Sequence, residues 1–134
     1  MMTKYTCHKI SEGKGTGEVL ISSDPINFYL VDPKTGILIE PNHSLNGKCL
    51  TGKVVVFPYG KASSVVQADG MYQLKMTGKV PSALIIQNPD TTLVASAIIL
   101  EFPMVDRAEA SFYEEIREGD RVEVNADQQV ITKL

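Results

Sequence analysis

The stretch from Lys53 to Gln87, KVVVFPYGKASSVVQADGMYQLKMTGKVPSALIIQ, decides the fold class. It opens on the apolar run KVVVF and ends on the apolar run ALIIQ, and unbroken runs of this kind are typical of strands covered on both faces. Between them, apolar residues recur at nearly helical spacing over VVQADGMYQLKMTGK, and Gly78 can end that helix. The stretch therefore predicts a strand, a helix and a second strand in succession.

The segments that follow continue this alternation. Asp90 can cap a helix that begins at Thr91, and FPMVD at 102–106 has the composition of a further short buried strand. In the tail, RVEVNA and QVITK alternate apolar and polar residues around Asp127 and Gln128, which predicts a hairpin with one covered face.

The segments that precede the stretch are also strand-like. YTCHKI and EVLIS have strand composition, and NFYLV and ILIE are predicted to pair as a hairpin around DPKTG. In that turn, Asp32, Pro33 and Gly36 suit a type I geometry, so we interpret DPKTG as structural. GKGTG at 13–17 lacks the spacing of a phosphate-binding loop and is interpreted as a plain loop.

Length and composition bound the class of protein. With 134 residues, of which 43% are hydrophobic, the chain can bury a core without disulfides or metals, and we expect one domain over residues 1–134. The predicted fold class is α/β, with a mixed sheet, a few helices and β-hairpins.

A net charge of −3 without a basic stripe argues against nucleic acid as a partner. No apolar run approaches the length of a membrane span and no signal-peptide core is seen, so we expect a cytoplasmic protein without a membrane partner.

Few side chains of this sequence could carry chemistry. Cys7 and Cys49 are far apart and lack metal-site spacing, so no metal ligands are expected in this chain. His8 lies in a predicted strand and is expected to be structural, whereas His43, in the loop PNHSLNG, is more open to a functional role.

The corner YGKASS, where a buried strand gives way to a helix, is the strongest candidate site. The start of a helix exposes unpaired backbone N–H groups and the positive end of the helix dipole, which together favour anions. Lys61 adds a positive charge, and the small residues Gly60 and Ala62 let a ligand approach the backbone. Serine is also a preferred N-cap, so physical chemistry alone leaves helix capping and anion contact equally open for Ser63 and Ser64.

The order of motifs resembles a known family. DPKTG, NHSLNGKCLTGKVVVFPYGKASS, GKVPSALIIQN and ASAIILEFPMVD, taken in this order over about residues 17–125, are similar to the small-subunit, swivelling domain of the aconitase X family of hydro-lyases. The resemblance implies a single swivelling β/β/α domain that docks onto a large catalytic subunit. It also implies that an iron–sulfur cluster is held by that large subunit and that this chain holds no cofactor.

The resemblance implies an activity as well. Archaeal members dehydrate (R)-5-phosphomevalonate, a small phosphorylated hydroxy acid, to trans-anhydromevalonate 5-phosphate in a mevalonate pathway. Bacterial relatives dehydrate hydroxyproline, often as one fused chain, so a separate small subunit favours the archaeal activity. A hydroxyproline dehydratase subunit and a non-catalytic anion-binding domain are the alternatives.

The family's G-[KR]-G-S-S loop identifies the expected site residues. Its first serine, which acts as the base in the related aconitase loop, corresponds to Ser63, so the resemblance implies Ser63 as proton acceptor, with Ser64, Lys61 and Gly60 touching substrate. The helix is expected to start at Ser64, with Ser63 facing the partner. The chain departs from the pattern at Ala62, where the family has glycine, which puts the backbone angles of this loop in question.

Overall fold

A computed structural model describes residues 2–134. In this part of the chain there are eight strands, three α-helices and one turn of 3-10 helix at Phe28–Leu30. The strands are β1 (Thr3–Thr6), β2 (His8–Ser11), β3 (Lys14–Ile21), β4 (Val54–Phe57), β5 (Ala83–Ile86), β6 (Met104–Asp106), β7 (Arg121–Asn125) and β8 (Val130–Lys133). The helices are α1 (Ser64–Thr77), α2 (Thr91–Ile99) and α3 (Ala110–Glu115).

The sheet folds back on itself to form two layers. Its strand order is β1-β8-β7-β3-β4-β5-β6-β2, so β1 and β2, which are separated only by Cys7, lie at opposite ends. β3 also serves both layers, because Lys14 to Glu18 pair antiparallel with β7 while Val19 to Ile21 pair parallel with β4. One layer is therefore antiparallel, and the other contains the parallel strands β3 to β6 with β2 antiparallel at its edge.

Alternation along the parallel strands produces two cores. Val54 and Val56 of β4 join the core between the two sheet layers, whereas Val55 and Phe57 join the core under α1 and α2. All four of these residues are buried, which explains the unbroken apolar run. The molecule is thus a β/β/α sandwich, and the predicted α/β class with a mixed sheet is confirmed.

The loop predicted for GKGTG is wrong. Lys14 to Gly17 lie in β3 and pair with β7, with Gly15 opposite Val124 and Gly17 opposite Val122. A Cβ at Gly15 would overlap the carbonyl oxygen of Ser82. Glycine in this strand therefore allows another backbone to approach closely, which is a known reason for glycine inside a sheet.

The predicted NFYLV–ILIE hairpin is also wrong, although its turn is correct. Phe28 to Leu30 form the 3-10 turn, and the pairing reduces to isolated bridges such as Val31 with Leu38. The turn itself forms, since Gly36 N donates to Asp32 O at 2.7 Å and Gly36 has a φ of +77°. Helix α3 was not predicted, while both strands of the tail hairpin were.

The parallel strands bring several loops together. β3, β4, β5 and β6 end at the same edge, and α1 and α2 begin there. Loops 22–27, 58–63 and 87–90 therefore meet at this edge, which is where ligands bind in many open α/β sheets. Among residues 2–134, no helix is both long enough and apolar enough to span a bilayer.

Candidate functional site

Ser63 is the N-cap of α1. Its Oγ accepts a hydrogen bond from Val66 N at 3.4 Å, and its carbonyl oxygen accepts from Gln67 N at 3.0 Å. The helix begins at Ser64, as predicted, but the capping hydroxyl belongs to Ser63. Both serines are exposed at the carboxyl edge of the sheet. The observed cap and the predicted chemical role thus fall on the same side chain.

Ala62 has backbone angles that suit glycine. Its φ is +151°, in a region that residues with a Cβ rarely adopt. The family pattern places glycine at this position, so the loop keeps a glycine-type backbone although it carries an alanine. The Ala62 side chain is exposed, so its environment does not require the methyl group.

Gly60 lies where the loop packs most tightly against both helices. A Cβ at this position would lie 2.9 Å from Gln67 Nε2, 3.1 Å from Leu93 Cδ2 and 3.2 Å from Asp90 Oδ2. Glycine is therefore needed for packing between the starts of α1 and α2. A role of its backbone in binding substrate stays a prediction.

Segment 26–28 holds the serine loop from the other side. Ile26 N donates to Tyr59 O at 3.1 Å, and Lys61 N donates to Ile26 O at 3.1 Å. The buried Gln67 of α1 bonds to the same segment, since its Nε2 donates to Ile26 O at 3.1 Å and its Oε1 accepts from Phe28 N at 2.7 Å. These bonds fix the backbone of the loop up to the residue before Ala62.

Lys61 is paired with a carboxylate. Its Nζ forms an ion pair with Glu40 Oε2, and the Lys61 and Glu40 side chains are 42% and 17% exposed. Asp24, in loop 22–27, also has a lowered pKa. The main cause of that lowered pKa is the hydrogen bond that Ser44 N donates to the Asp24 carboxylate at 2.7 Å. Lys61 is a minor further cause of it, and the carboxylate bonded to Lys61 is that of Glu40.

His43 is structural. Its Nδ1 accepts from Leu45 N at 2.9 Å, so Nε2 carries the proton and donates to Pro25 O at 2.9 Å. The buried ring thereby ties loop 40–47 to loop 22–26. His8 has a partner too, since its Nδ1 lies 2.7 Å from the buried carboxylate of Asp106.

Two carboxylate oxygens beside the serine loop are buried without a hydrogen-bond partner. Within residues 2–134, Glu40 Oε1 and Asp90 Oδ2 are the side-chain atoms in this condition. Asp90 caps α2 through its other oxygen, which accepts from Leu93 N at 2.8 Å, so its predicted capping role is confirmed. Unpaired buried polar atoms are uncommon in native proteins and call for an explanation, which at this edge can be functional.

Residues 2–134 by themselves form neither an enclosed cavity nor a metal site. No pocket and no group of three or more potential metal ligands is found in residues 2–134. Cys7 lies between β1 and β2, and burial raises its pKa to about 11. Cys49 lies near Thr35, whose carbonyl oxygen accepts from its Sγ at 3.6 Å. These two residues do not fit the ligand set of an iron–sulfur cluster.

A family model described as the aconitase X swivel domain matches residues 4–133. The chain belongs to this family. It is 50% identical over 120 residues to the phosphomevalonate dehydratase small subunit of Methanosarcina acetivorans, covering 89% of this chain and 83% of the relative. It is 46% identical to the protein of the same name from Methanosarcina mazei, covering 98% of this chain and 91% of that relative.

A solved structure agrees with this assignment. The crystal structure of Thermococcus kodakaraensis aconitase X in its holo form has a TM-score of 0.88 and 37% identity to this chain, and the match covers 98% of both chains. The resemblance inferred from the order of motifs is thereby confirmed.

The predicted site residues of this swivel domain lie together at the start of α1. Other residues that were not predicted from the sequence lie beside them. Gly60, Lys61, Ser63 and Ser64 follow one another at the edge where α1 begins. The missed residues around them are Glu40, Gln67 and the carboxylate of Asp24. Gln67 carries a signal in the sequence, since it is a polar residue at a buried helical position, but Asp24 and Glu40 lie in loops without a recognisable pattern.

Proposed function

We propose that this chain is the small subunit of a cytoplasmic phosphomevalonate dehydratase, a hydro-lyase that converts (R)-5-phosphomevalonate to trans-anhydromevalonate 5-phosphate. The observation that carries the proposal is Ser63 as N-cap of α1 at the carboxyl edge of the sheet, in a swivel domain whose relatives bear the dehydratase name. Those names favour phosphomevalonate over hydroxyproline as substrate. Residues 1–134 act as one domain in this proposal.

Ser63 acts as the proton acceptor. A serine hydroxyl is a very weak acid, so it removes a proton from carbon only where its alkoxide is stabilised. The N-cap position supplies that stabilisation, because Val66 N–H already points at Oγ and the helix dipole favours negative charge there. Hydrogen bonds to a charged acceptor are roughly twice as strong as neutral ones, so the cap bond tightens as the charge develops.

Ser64, Lys61 and the Gly60 backbone bind the substrate. Ser64 is the first residue of α1, where backbone N–H groups have no partner inside the helix. Lys61 adds the positive charge that an anionic substrate needs, and Gly60 sets the path of the chain between the two helix starts.

The large subunit completes the site in this proposal. Large apolar side chains are exposed on the serine loop and along α1, which is typical of a surface that a partner covers. Val65, Tyr72 and Met76 share one face of α1 because they are seven and four residues apart. Tyr29 belongs to the segment whose backbone packs on Gly70 of the same helix. The exposed fractions are 46% for Tyr59, 76% for Val65, 49% for Tyr29, 51% for Tyr72 and 66% for Met76.

We assign the iron–sulfur cluster to the large subunit, since the cysteines of this chain do not fit one. An open iron site supplies a Lewis acid, which is the help that a departing hydroxyl group needs. The contribution of the present chain is the proton acceptor and part of the substrate contact.

Reconstitution tests the proposal. The chain is produced anaerobically together with the large subunit from the same genome, and the purified complex is assayed for loss of water from phosphomevalonate, with hydroxyproline as a parallel substrate. We expect an iron-containing complex that dehydrates phosphomevalonate. An iron-replete complex that leaves phosphomevalonate intact contradicts the proposal. Calorimetry on the isolated chain gives a second test, because tight binding of phosphomevalonate without the large subunit would indicate a self-contained binding domain.

A further inference from the structure

We propose that Glu40 is a positioning residue whose carboxylate holds the Lys61 ammonium where it binds an anionic group of the substrate. The inference rests on the proposed function and deepens it, because it identifies how the one lysine of the serine loop is oriented. Glu40 lies in a different loop, 21 positions before Lys61 in the chain.

The ion pair leaves donors on Lys61 for a ligand. A lysine ammonium carries three N–H donors, and Glu40 Oε2 accepts from Lys61 Nζ. The remaining donors can reach anionic oxygens of a substrate without breaking the pair. The exposures fit this arrangement, since the Glu40 side chain is 17% exposed and the Lys61 side chain is 42% exposed.

The backbone of Glu40 is bonded through both its N–H and its carbonyl group. Its backbone N donates to Asn46 Oδ1 at 3.0 Å, and its carbonyl oxygen accepts from His43 N at 3.2 Å. The same loop is bound to segment 22–26 by the His43 ring and by the Asp24 carboxylate. A flexible lysine side chain is thus bonded to a carboxylate on a well-anchored turn.

Stability does not account for this arrangement. An ion pair with an exposed lysine contributes little to folding. Glu40 Oε1 is also buried without a partner, which is unfavourable for the folded state. Local arrangements that disfavour folding are expected at functional sites, where placement of a group matters more than stability.

The negative charges near Lys61 are consistent with an ammonium that is held in a fixed position. Glu40 is bonded to its ammonium, and Asp24 is close enough for Lys61 to help lower the Asp24 pKa. The Glu40 carboxylate keeps the ammonium beside loop 40–47. The ligand class is an anionic oxygen group, which a phosphorylated hydroxy acid supplies as phosphate or as carboxylate.

Steady-state kinetics on the reconstituted complex with phosphomevalonate test the inference. We expect Lys61→Ala to raise KM about 30-fold, the effect of losing a charge-assisted hydrogen bond. Glu40→Ala is expected to raise KM about tenfold with little change in kcat, and Glu40→Gln, which keeps the size of the side chain, about threefold. The double variant is expected to match Lys61→Ala, because Glu40 acts only through Lys61. Lys133→Ala, which removes the lysine of an ion pair with Asp120 on the antiparallel layer, is the matched control.

The outcomes distinguish a failure of the proposed function from a failure of the proposed role of Glu40. If the wild-type complex does not dehydrate phosphomevalonate, the proposed function fails. If it does, but Glu40→Ala leaves KM unchanged or adds fully to Lys61→Ala in the double variant, the role of Glu40 is wrong. Inhibition by mevalonate, which has the carboxylate and lacks the phosphate, assigns the contact to one end of the substrate. A weakened inhibition in Lys61→Ala assigns the contact to the carboxylate, and an unchanged one assigns it to the phosphate.

Discussion

Ser63 and Val66 are joined by the hydrogen bond that begins α1, with Ser63 Oγ accepting from Val66 N at 3.4 Å. The same oxygen is the proposed proton acceptor, so its structural and chemical roles have to be separated by substitution. Asparagine caps helices as well as serine does but cannot form an alkoxide.

We predict that Ser63→Asn keeps the stability of the chain and lowers kcat of the complex. The loss of a general base lowers the rate by about 100- to 10,000-fold. Ser63→Ala is expected to lower kcat similarly and, in addition, to lower the free energy of unfolding by about 1 kcal/mol. Urea denaturation and the dehydratase assay measure the two effects. A Ser63→Asn complex with near wild-type kcat would show that Ser63 only caps the helix.

We predict that Ala62→Gly stabilises the chain. Alanine at a φ of +151° is strained by about 1–3 kcal/mol, and glycine is not, although glycine loses about 0.5–1 kcal/mol through chain entropy. The net expectation is a gain of about 1 kcal/mol in the free energy of unfolding, read from urea denaturation.

Ala68→Gly in the interior of α1 is the matched control for this substitution. It introduces the same change in a helical backbone, so we expect a loss of about 1 kcal/mol. If both variants lose stability equally, the inferred strain at Ala62 is absent.

The elements that the sequence predicts well are those whose signal is local. The run at Val54–Phe57 is apolar because it is covered on both faces. The side chain of Asp90 can begin a helix by itself, and the conformational freedom of Gly78 can end one. Ser63 was identified by its place in a family loop, but its capping bond was not distinguished from one made by Ser64.

The elements that the sequence does not predict depend on distant partners. Gly15 and Gly17 have the composition of a loop, and only the approach of another backbone explains glycine inside a strand. The partner of Lys61 lies 21 residues away in a loop without periodicity, so no local pattern could indicate Glu40. The same limit explains why the NFYLV segment, which packs on α1 through Gly70, was mistaken for a strand.

We predict that Gln67→Ala destabilises the chain strongly. The substitution leaves Phe28 N buried without its acceptor and removes one donor to Ile26 O, which keeps the bond from Lys61 N. An unpaired buried group is unfavourable by about 1–3 kcal/mol and a lost hydrogen bond by about 1 kcal/mol, so we expect a loss of about 3 kcal/mol in the free energy of unfolding. Gln73→Ala, which changes a partly exposed glutamine six residues further along α1, is the control and should change stability by less than about 0.5 kcal/mol. Equal effects of the two substitutions in urea denaturation would mean that Gln67 does not hold segment 26–28.

We predict that the chain loses stability as pH rises from about 10 to about 12, in part through Tyr5. Its OH donates to Glu115 Oε1 at 2.6 Å, and this bond, followed by burial and the nearby negative charge, raises the Tyr5 pKa from 10.0 to about 12. The folded state therefore holds the phenol proton over a range in which the unfolded chain releases it. The stabilising contribution is complete below pH 10 and disappears as pH passes through the folded pKa. Tyr113, whose pKa burial raises to about 12, acts in the same direction.

Tyr5→Phe isolates the contribution of Tyr5 to this alkaline transition. The rings of Tyr5 and Phe112 are in edge-to-face contact, with centroids 5.4 Å apart. Phenylalanine at position 5 keeps this contact but has no phenol proton to release. We expect the variant to be about 1 kcal/mol less stable at pH 7, because the bond to Glu115 is lost, and to lose less stability than wild type between pH 10 and pH 12. Urea denaturation at a series of pH values measures both effects, with Tyr72→Phe, a change at an exposed position of α1, as the control. A Tyr5→Phe variant whose stability falls with pH as steeply as that of wild type would mean that the Tyr5 proton is not held more tightly in the folded state.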